Sequence, residues 1–285
     1  MALFSDVLLT VDYDRTLTAL DSSLPQRNLD AIEFFTRNGG AFTMNTGRSV
    51  PMSMGHIVPR VPANAPLLLY NGSAAYDVST GLLEQVHPID VDPKAFLEDL
   101  IAHFPQLIME IQSPVGHHLV RKNAGWEAYC ENNHCTHSYV TLDSIPEPFI
   151  KVAINGEFRE PTVASMYDAT EEDLAVFAQL TDFMEEHYGD KIAAFRACPR
   201  ILDLHAKGCS KLEAARQLQQ RLGRKILVCV GDSLNDLSML EGADYAYCPS
   251  DSAIAHLFEN VGPCGYGAVA DVIYEKIPAL LKNKP

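Results

Sequence analysis

A chain of 285 residues, 47% of them apolar and 21% charged, has the composition of a soluble globular protein and room for one large domain or two ordinary ones. A formal net charge of −15 argues against long-range attraction to nucleic acid or an anionic membrane. No run approaches roughly 18 consecutive apolar residues, and no basic stretch followed by a long apolar one opens the chain, so neither a membrane span nor a secretory leader is expected.

The seven cysteines are odd in number and scattered, which predicts reduced thiols and a cytoplasmic setting. Cys130, His134, Cys135 and His137 are zinc-ligand residue types. No Cys-x-x-Cys knuckle accompanies them, and they read as incidental residues near a helix end.

In chain order, Leu8–Val11 is apolar or β-branched throughout and predicts a buried strand. It runs into Asp12-Tyr13-Asp14-Arg15-Thr16. Buried carboxylates are unfavourable unless a cation or donors compensate them, so an Asp-x-Asp at a strand end suggests a metal site, a nucleophile, or both. A helix over about 25–38 stops at Asn38-Gly39-Gly40. A short strand at 41–45 leads to Thr46-Gly47-Arg48, and a third, at 67–70, to Asn71-Gly72. This βαβαβ order places polar residues after each strand.

The middle of the chain, 83–205, has a different texture. Helices are predicted at 93–103 and 171–187, and strands at 107–111, 117–121, 150–154, 192–196 and 201–204. The first pattern then resumes. A helix spans 210–222, and the apolar run Lys225–Val230 is a strand that enters Gly231-Asp232-Ser233-Leu234-Asn235-Asp236. A short helix at 237–241, a strand at 245–248 and helices at 253–258 and 268–276 complete the chain.

The segments Asp12-Tyr13-Asp14-Arg15-Thr16-Leu17, Thr46-Gly47-Arg48, Lys211 and Gly231–Asp236, in this order and spacing, resemble the four motifs of the haloacid dehalogenase (HAD) superfamily of phosphohydrolases. An insertion between the second and third motifs resembles the Cof-type (subfamily IIB) branch. The resemblance covers nearly the whole chain. It implies an α/β fold, a Rossmann-like doubly wound, mostly parallel sheet built from 1–82 and 206–285, with 83–205 as an inserted α/β cap domain.

The resemblance implies that Asp12 is a nucleophile that forms an aspartyl-phosphate. Asp14 becomes the general acid and then the base, and its main-chain carbonyl also reaches the metal. Asp232 becomes the main metal ligand, Asp236 a further metal or water ligand, and Asn235 a supporting donor. Hard oxygen ligands suit Mg²⁺. Thr46 and the Gly47 amide suit phosphate oxygens, and Arg48 is a candidate substrate contact or a solvated side chain. Lys211 opens a helix, where its ammonium and the helix N-terminus both favour a phosphoryl group. Asn71-Gly72 matches a Cof-type feature that lines the pocket, with a plain β-turn as the rival reading.

Tyr13 and Arg15 depart from the family's usual Leu or Phe and Gly. In the family the cap closes over the pocket, and His117, His118, Arg121, Lys122 and Trp126 supply candidate contacts. Arg196 and Arg200 flank a later hairpin. Each has a simpler reading, a solvated strand residue or, for Trp126, a core residue.

The implied function is a Mg²⁺-dependent phosphatase of small phosphomonoesters, sugar phosphates first, with a small phosphorylated metabolite as partner and neither nucleic acid nor membrane. A phosphomutase shares the nucleophile, and a non-enzymatic phosphometabolite-binding protein shares the scaffold. A dehalogenase has no evident need of Asp14 or Asp232. An NAD-binding reading lacks Gly-x-Gly-x-x-Gly after the first strand.

Overall fold

A computed structural model describes residues 2–160 and 163–282. In chain order the elements are β1 (Val7–Val11), α1 (Gln26–Arg37), β2 (Ala41–Met44), α2 (Val50–His56), β3 (Leu67–Leu69), β4 (Ala74–Asp77), β5 (Leu82–Glu84) and α3 (Pro93–His103). Next come β6 (Ile108–Ser113), β7 (Gly116–Leu119), α4 (Ala124–Asn132), β8 (His137–Tyr139), β9 (Lys151–Asn155), α5 (Glu171–Tyr188), β10 (Ile192–Cys198) and β11 (Ile201–Ala206). The chain ends with α6 (Lys211–Arg221), β12 (Ile226–Val230), α7 (Leu237–Glu241), β13 (Tyr245–Pro249), β14 (Glu259–Val261), α8 (Ala268–Asp271) and α9 (Ile277–Lys282). Two compact units divide these elements. The first comprises 1–47, 57–85 and 210–285, and the second 48–56 and 86–209.

The first unit is built on a parallel five-stranded sheet in the order β14-β13-β12-β1-β2. Every residue of β1 and β12 is buried, which is why both read as apolar or β-branched throughout, without polar alternation. Val11 is in register with Val230 on one side and Met44 on the other. The carboxyl ends of three strands therefore coincide, and Asp12, Asn45 and Gly231 leave the sheet at the same edge. The strand order reverses at β1, which makes this edge a topological switch point. Leu67–Leu69 joins this sheet only through the bridge Asn45–Leu68 and otherwise starts an antiparallel β3-β4-β5 ribbon. Residues 251–258, expected to include a helix, form turns. Six residues supply too few intrahelical hydrogen bonds to hold one unaided.

The second unit is a six-stranded sheet in the order β10-β11-β9-β6-β7-β8, antiparallel except for the β7–β8 pair. α3 and α5 cover one face, where Phe96, Leu100, Phe177 and Leu180 pack on Met109, Ile111, Val152 and Leu204. Asp92 caps α3 by accepting from the Ala95 amide at 2.7 Å, and a Thr170–Asp173 capping box starts α5. Met52, Leu119, Trp126, Cys130, Cys135 and Phe158 form a separate apolar cluster.

Several cap candidates prove to be interior residues. Trp126 is fully buried and offers no exposed face for stacking. Arg200 is buried too, donating to the Glu157 and Ser165 carbonyls at 2.6 and 3.2 Å and pairing with Asp173 at 3.2 Å. His118 is held between Ser113 and Ser138, at 2.9 and 2.8 Å. Arg121 donates to the Pro105 carbonyl, and Arg196 to the Pro199 carbonyl, each at 2.8 Å.

Candidate active site

The site is assembled at the switch-point edge of the first unit. The Asp12 amide donates to the Val230 carbonyl, and the Asn45 amide to the Val11 carbonyl, each at 2.9 Å. These bonds fix the three loop starts side by side. After Asp12 the chain makes a tight turn over Tyr13–Leu17, in which Asp14 is extended and Arg15 adopts φ +58°. A left-handed residue with a Cβ is strained by about 1 kcal/mol, which explains why the resembling motif usually carries glycine here. The Arg15 amide donates to Thr18 Oγ1 at 3.1 Å, which helps to hold the turn.

Lys211 is the first residue of α6, behind the Ser210 N-cap. Its ammonium is buried and donates to Asp12 Oδ1 at 2.5 Å and to Asp236 Oδ1 at 2.6 Å. Asn45 Nδ2 donates to the Lys211 carbonyl at 2.7 Å and ties the helix start to the end of β2.

Asp236 serves two purposes. Its other oxygen, Oδ2, accepts from the Asp232 and Ser233 amides at 3.0 and 3.1 Å and from the Ser233 hydroxyl at 3.3 Å. It therefore folds the loop that presents Asp232 while it grips Lys211. Gly231 is required for this, since a Cβ there would lie 2.6 Å from Asp236 Cγ. Asn235 Oδ1 accepts from the same Ser233 hydroxyl at 2.6 Å, in keeping with a supporting place. Asp232 is buried and accepts from Thr16 Oγ1 at 3.1 Å.

Three carboxylates, Asp12, Asp232 and Asp236, each bring an oxygen within 4.8 Å of the others. Burial drives the Asp12 carboxyl well above the ordinary carboxylate range. Lys211 opposes that rise, while Asp236, Asp232 and Asp14 add to it. Asp232 is pushed up to about 7, by burial first and then by Asp236, against the Thr16 hydrogen bond and Lys211. Burial works against the Lys211 ammonium, but Asp12 and Asp236 outweigh it and raise its pKa. One ammonium thus faces more carboxylate than it can neutralise. An all-oxygen donor set with surplus negative charge fits a hard divalent cation such as Mg²⁺.

The remaining sequence-predicted residues lie on adjoining loops of the first unit, with one exception. Thr46 is buried. Its amide donates to the Leu68 carbonyl and its own carbonyl accepts from the Asn71 amide, both at 2.9 Å. Asn71 is a left-handed residue at φ +53°, and its side chain lies against Gly47, where a Cβ would meet Asn71 Oδ1 at 2.9 Å. Gly72, at φ +93°, turns its hydrogen toward the Ser210 carbonyl, 2.3 Å from where a Cβ would stand. Its requirement for glycine is therefore the close packing of this turn on the start of α6. Arg48 is the exception. It belongs to the second unit and is partly exposed.

The sequence places Thr16 within the first motif without giving it a partner, and Asn45 reads only as the end of a strand. Asn45 follows the buried β2, which was the available signal, whereas Thr16 lies in the turn after β1.

A family model described as haloacid dehalogenase-like hydrolase matches residues 9–253. The chain is 24% identical over 243 residues to the HMP-PP phosphatase of Yersinia enterocolitica, covering 82% of this chain and 80% of that protein. A haloacid dehalogenase-like hydrolase from B. subtilis superposes with a TM-score of 0.75 at 18% identity, covering 94% of this chain and 99% of the other. The HAD subclass IIB sugar phosphatase BT4131 superposes with a TM-score of 0.71 at 15% identity, covering 95% and 99%. These two likenesses establish the shared fold.

Proposed function

Because the chain belongs to the haloacid dehalogenase-like hydrolases, we propose that it is a Mg²⁺-dependent phosphatase of small phosphomonoesters, sugar phosphates first, working through an aspartyl-phosphate on Asp12. The observation that carries this reading is the Lys211 ammonium clamped between Asp12 and Asp236, beside Asp232. A buried carboxylate at a strand end, held by a cation and flanked by metal-type oxygens, is set up for nucleophilic attack on phosphorus. The names of the similar proteins, an HMP-PP phosphatase and a sugar phosphatase, favour a small phosphorylated metabolite as substrate.

Lys211 fixes one oxygen of Asp12 and leaves the other to attack. Asp12 attacks phosphorus in line with the leaving oxygen, and Asp14 gives that oxygen its proton. The alcohol departs, and the phosphoryl group remains on Asp12. Asp14, now a carboxylate, takes a proton from water as the water oxygen attacks the same phosphorus. Inorganic phosphate leaves and Asp12 is regenerated. Thr46 and the Gly47 amide hold the non-bridging oxygens, with Asn71 beside them. Asp12, Asp232 and the Asp14 carbonyl would hold the Mg²⁺, with Asp236 behind them. The ion would supply the positive charge that lets Asp12 stay ionised next to a phosphate.

The test is phosphate release from a panel of sugar, nucleotide and cofactor phosphates by protein stripped with EDTA and resupplied with Mg²⁺. Activity that needs the metal and vanishes in Asp12→Asn is expected. Turnover indifferent to either change would defeat the covalent reading. Isomerisation of a sugar phosphate that depends on a bisphosphate activator, without phosphate release, would make the protein a mutase.

A further inference from the structure

In the second unit, a separate group of metal-ligand side chains lies buried. Glu110 on β6, His117 on β7 and Cys130 at the end of α4 each bring a donor atom within 4.8 Å of the others. Cys135, five residues beyond Cys130, interacts with both Cys130 and His117. All four are essentially shut off from solvent. Their surroundings are apolar, with Leu119, Trp126 and Phe158 in the cluster that contains both cysteines.

The strand pleat creates this convergence. His117 stands opposite Gln112 in the β6–β7 pairing, and Glu110 is two residues from Gln112 on the same face. The Cys135 amide donates to the Cys130 carbonyl at 2.9 Å, closing a turn that brings the two thiols together. The sequence spacing draws attention to His134 and His137 as companions of the cysteines. The fold brings His117 to them instead.

Two further observations point to a ligand. His117 Nδ1 is fully buried and faces the Glu110 carboxylate in a close ion pair. The opposite ring nitrogen, Nε2, is engaged by Ser49 Oγ at 2.7 Å. Glu110 is braced in the same way, since its Oε2 accepts from Asn155 Nδ2 at 3.1 Å. An imidazole and a carboxylate anchored at their far atoms, with their near atoms turned to a common point, have the arrangement that orients metal ligands.

We propose that Glu110, His117, Cys130 and Cys135 form a structural zinc site. Two thiolates, an imidazole and a carboxylate are a donor set for a borderline-soft, four-coordinate ion, and the Cys-x4-Cys spacing lies within the usual range. Bonds of about 2.0–2.3 Å in a tetrahedron set the donor atoms about 3–4 Å apart. Glu110, His117 and Cys130 already bring donor atoms within 4.8 Å of one another, and the Glu110–His117 contact would have to open to admit the ion. With Nε2–H given to Ser49, Nδ1 keeps its lone pair for the metal. Both thiols lose their protons on binding. The ion pins the β6–β7 hairpin to the end of α4. A buried ion pair between Glu110 and His117 alone would leave the two cysteines unexplained.

The test uses the intact protein, expressed in medium supplemented with zinc or cobalt and washed with EDTA to clear the carboxylate site. Native mass spectrometry is expected to find one zinc per chain. The cobalt form is expected to show a thiolate-to-metal charge-transfer band, which a carboxylate site cannot give. Both signals are expected to be lost in Cys130→Ser and in Cys135→Ser. The wild-type measurements decide the question even if those variants fail to fold. A metal-free wild type without the band, a Cys130–Cys135 disulfide in its place, or zinc retained by the double variant would each overturn the assignment.

Discussion

Lys211 Nζ stands 2.5 Å from Asp12 Oδ1, with both side chains buried. The ammonium touches the nucleophile candidate, and it also holds the residue that shapes the Asp232 loop. Lys211→Met leaves Asp12 and Asp236 without it. Breaking a buried pair by removing one partner destabilises by about 3–5 kcal/mol. A loss of that order is expected in urea unfolding with EDTA present. Turnover is expected to fall by roughly 10²–10³-fold, the usual effect of deleting one preorganised donor. Wild-type stability in the variant would contradict the clamp.

Thr16 acts on Asp232 rather than on the phosphate. Its hydroxyl donates to Asp232 Oδ1, and Thr16→Val removes that bond while keeping the side chain's shape. Loss of a group that orients a metal ligand weakens metal affinity by about 10–100-fold. The half-saturating Mg²⁺ concentration for turnover is expected to rise by that factor, with Thr16→Ser close to wild type. An unchanged Mg²⁺ requirement in Thr16→Val would remove Thr16 from the site.

The raised pKa of Asp232 sets a pH dependence for the metal-free protein. Its folded value of about 7 lies above the ordinary 3.8, so the folded state favours the protonated acid. That contribution is complete below the unfolded value and is lost as pH rises through about 7. Asp12 shifts in the same direction. With EDTA present, the urea midpoint of wild type is expected to fall relative to that of Asp232→Asn between about pH 5 and about pH 8. Mg²⁺ bound at these carboxylates would displace those protons, so a stabilising effect of added Mg²⁺ is expected to grow over the same interval. A gap between the two proteins that moves the other way would refute the shift.

Gly231→Ala tests the Asp236 clasp without touching a charged residue. The new methyl would stand 2.6 Å from Asp236 Cγ, so Asp236 must move and loosen both Lys211 and the Asp232 loop. Overpacking of this kind destabilises by about 1–3 kcal/mol. Thermal unfolding should register that loss, together with a fall in turnover. Full activity would mean that Asp236 can shift without consequence.

The buried run of β1 makes the carboxylates that follow it, Asp12 and Asp14, stand out in the sequence. Lys211, Asp232 and Asp236 were legible only through the resemblance of their segments to the HAD motifs. What stayed hidden were the pairings. Thr16 and Asp232 are 216 positions apart, and nothing in either segment names the other. Asn45 looked like the tail of a strand, because its partner is a main-chain carbonyl at Lys211. Gly72 looked like a pocket residue because its motif lies beside one, whereas the Ser210 carbonyl sets its need for glycine. The strand at β3 was expected, but its antiparallel partners β4 and β5 escaped notice because they are only four and three residues long.

The central place of β1 bears on how the chain can be made. One neighbour of β1, β2, follows it closely in the chain, whereas the other, β12, follows more than 200 residues later. Until then β1 has β2 on one side and a bare hydrogen-bonding edge on the other, a template for pairing with another chain. A nascent chain or a fragment cut before α6 therefore carries an exposed strand that is apolar but for Thr10, and an Asp12 without Lys211. Lys211 opens α6, the element directly before β12, so the clamp and the second partner of β1 arrive nearly together in synthesis, and products truncated before them are expected to aggregate rather than to act as partial enzymes.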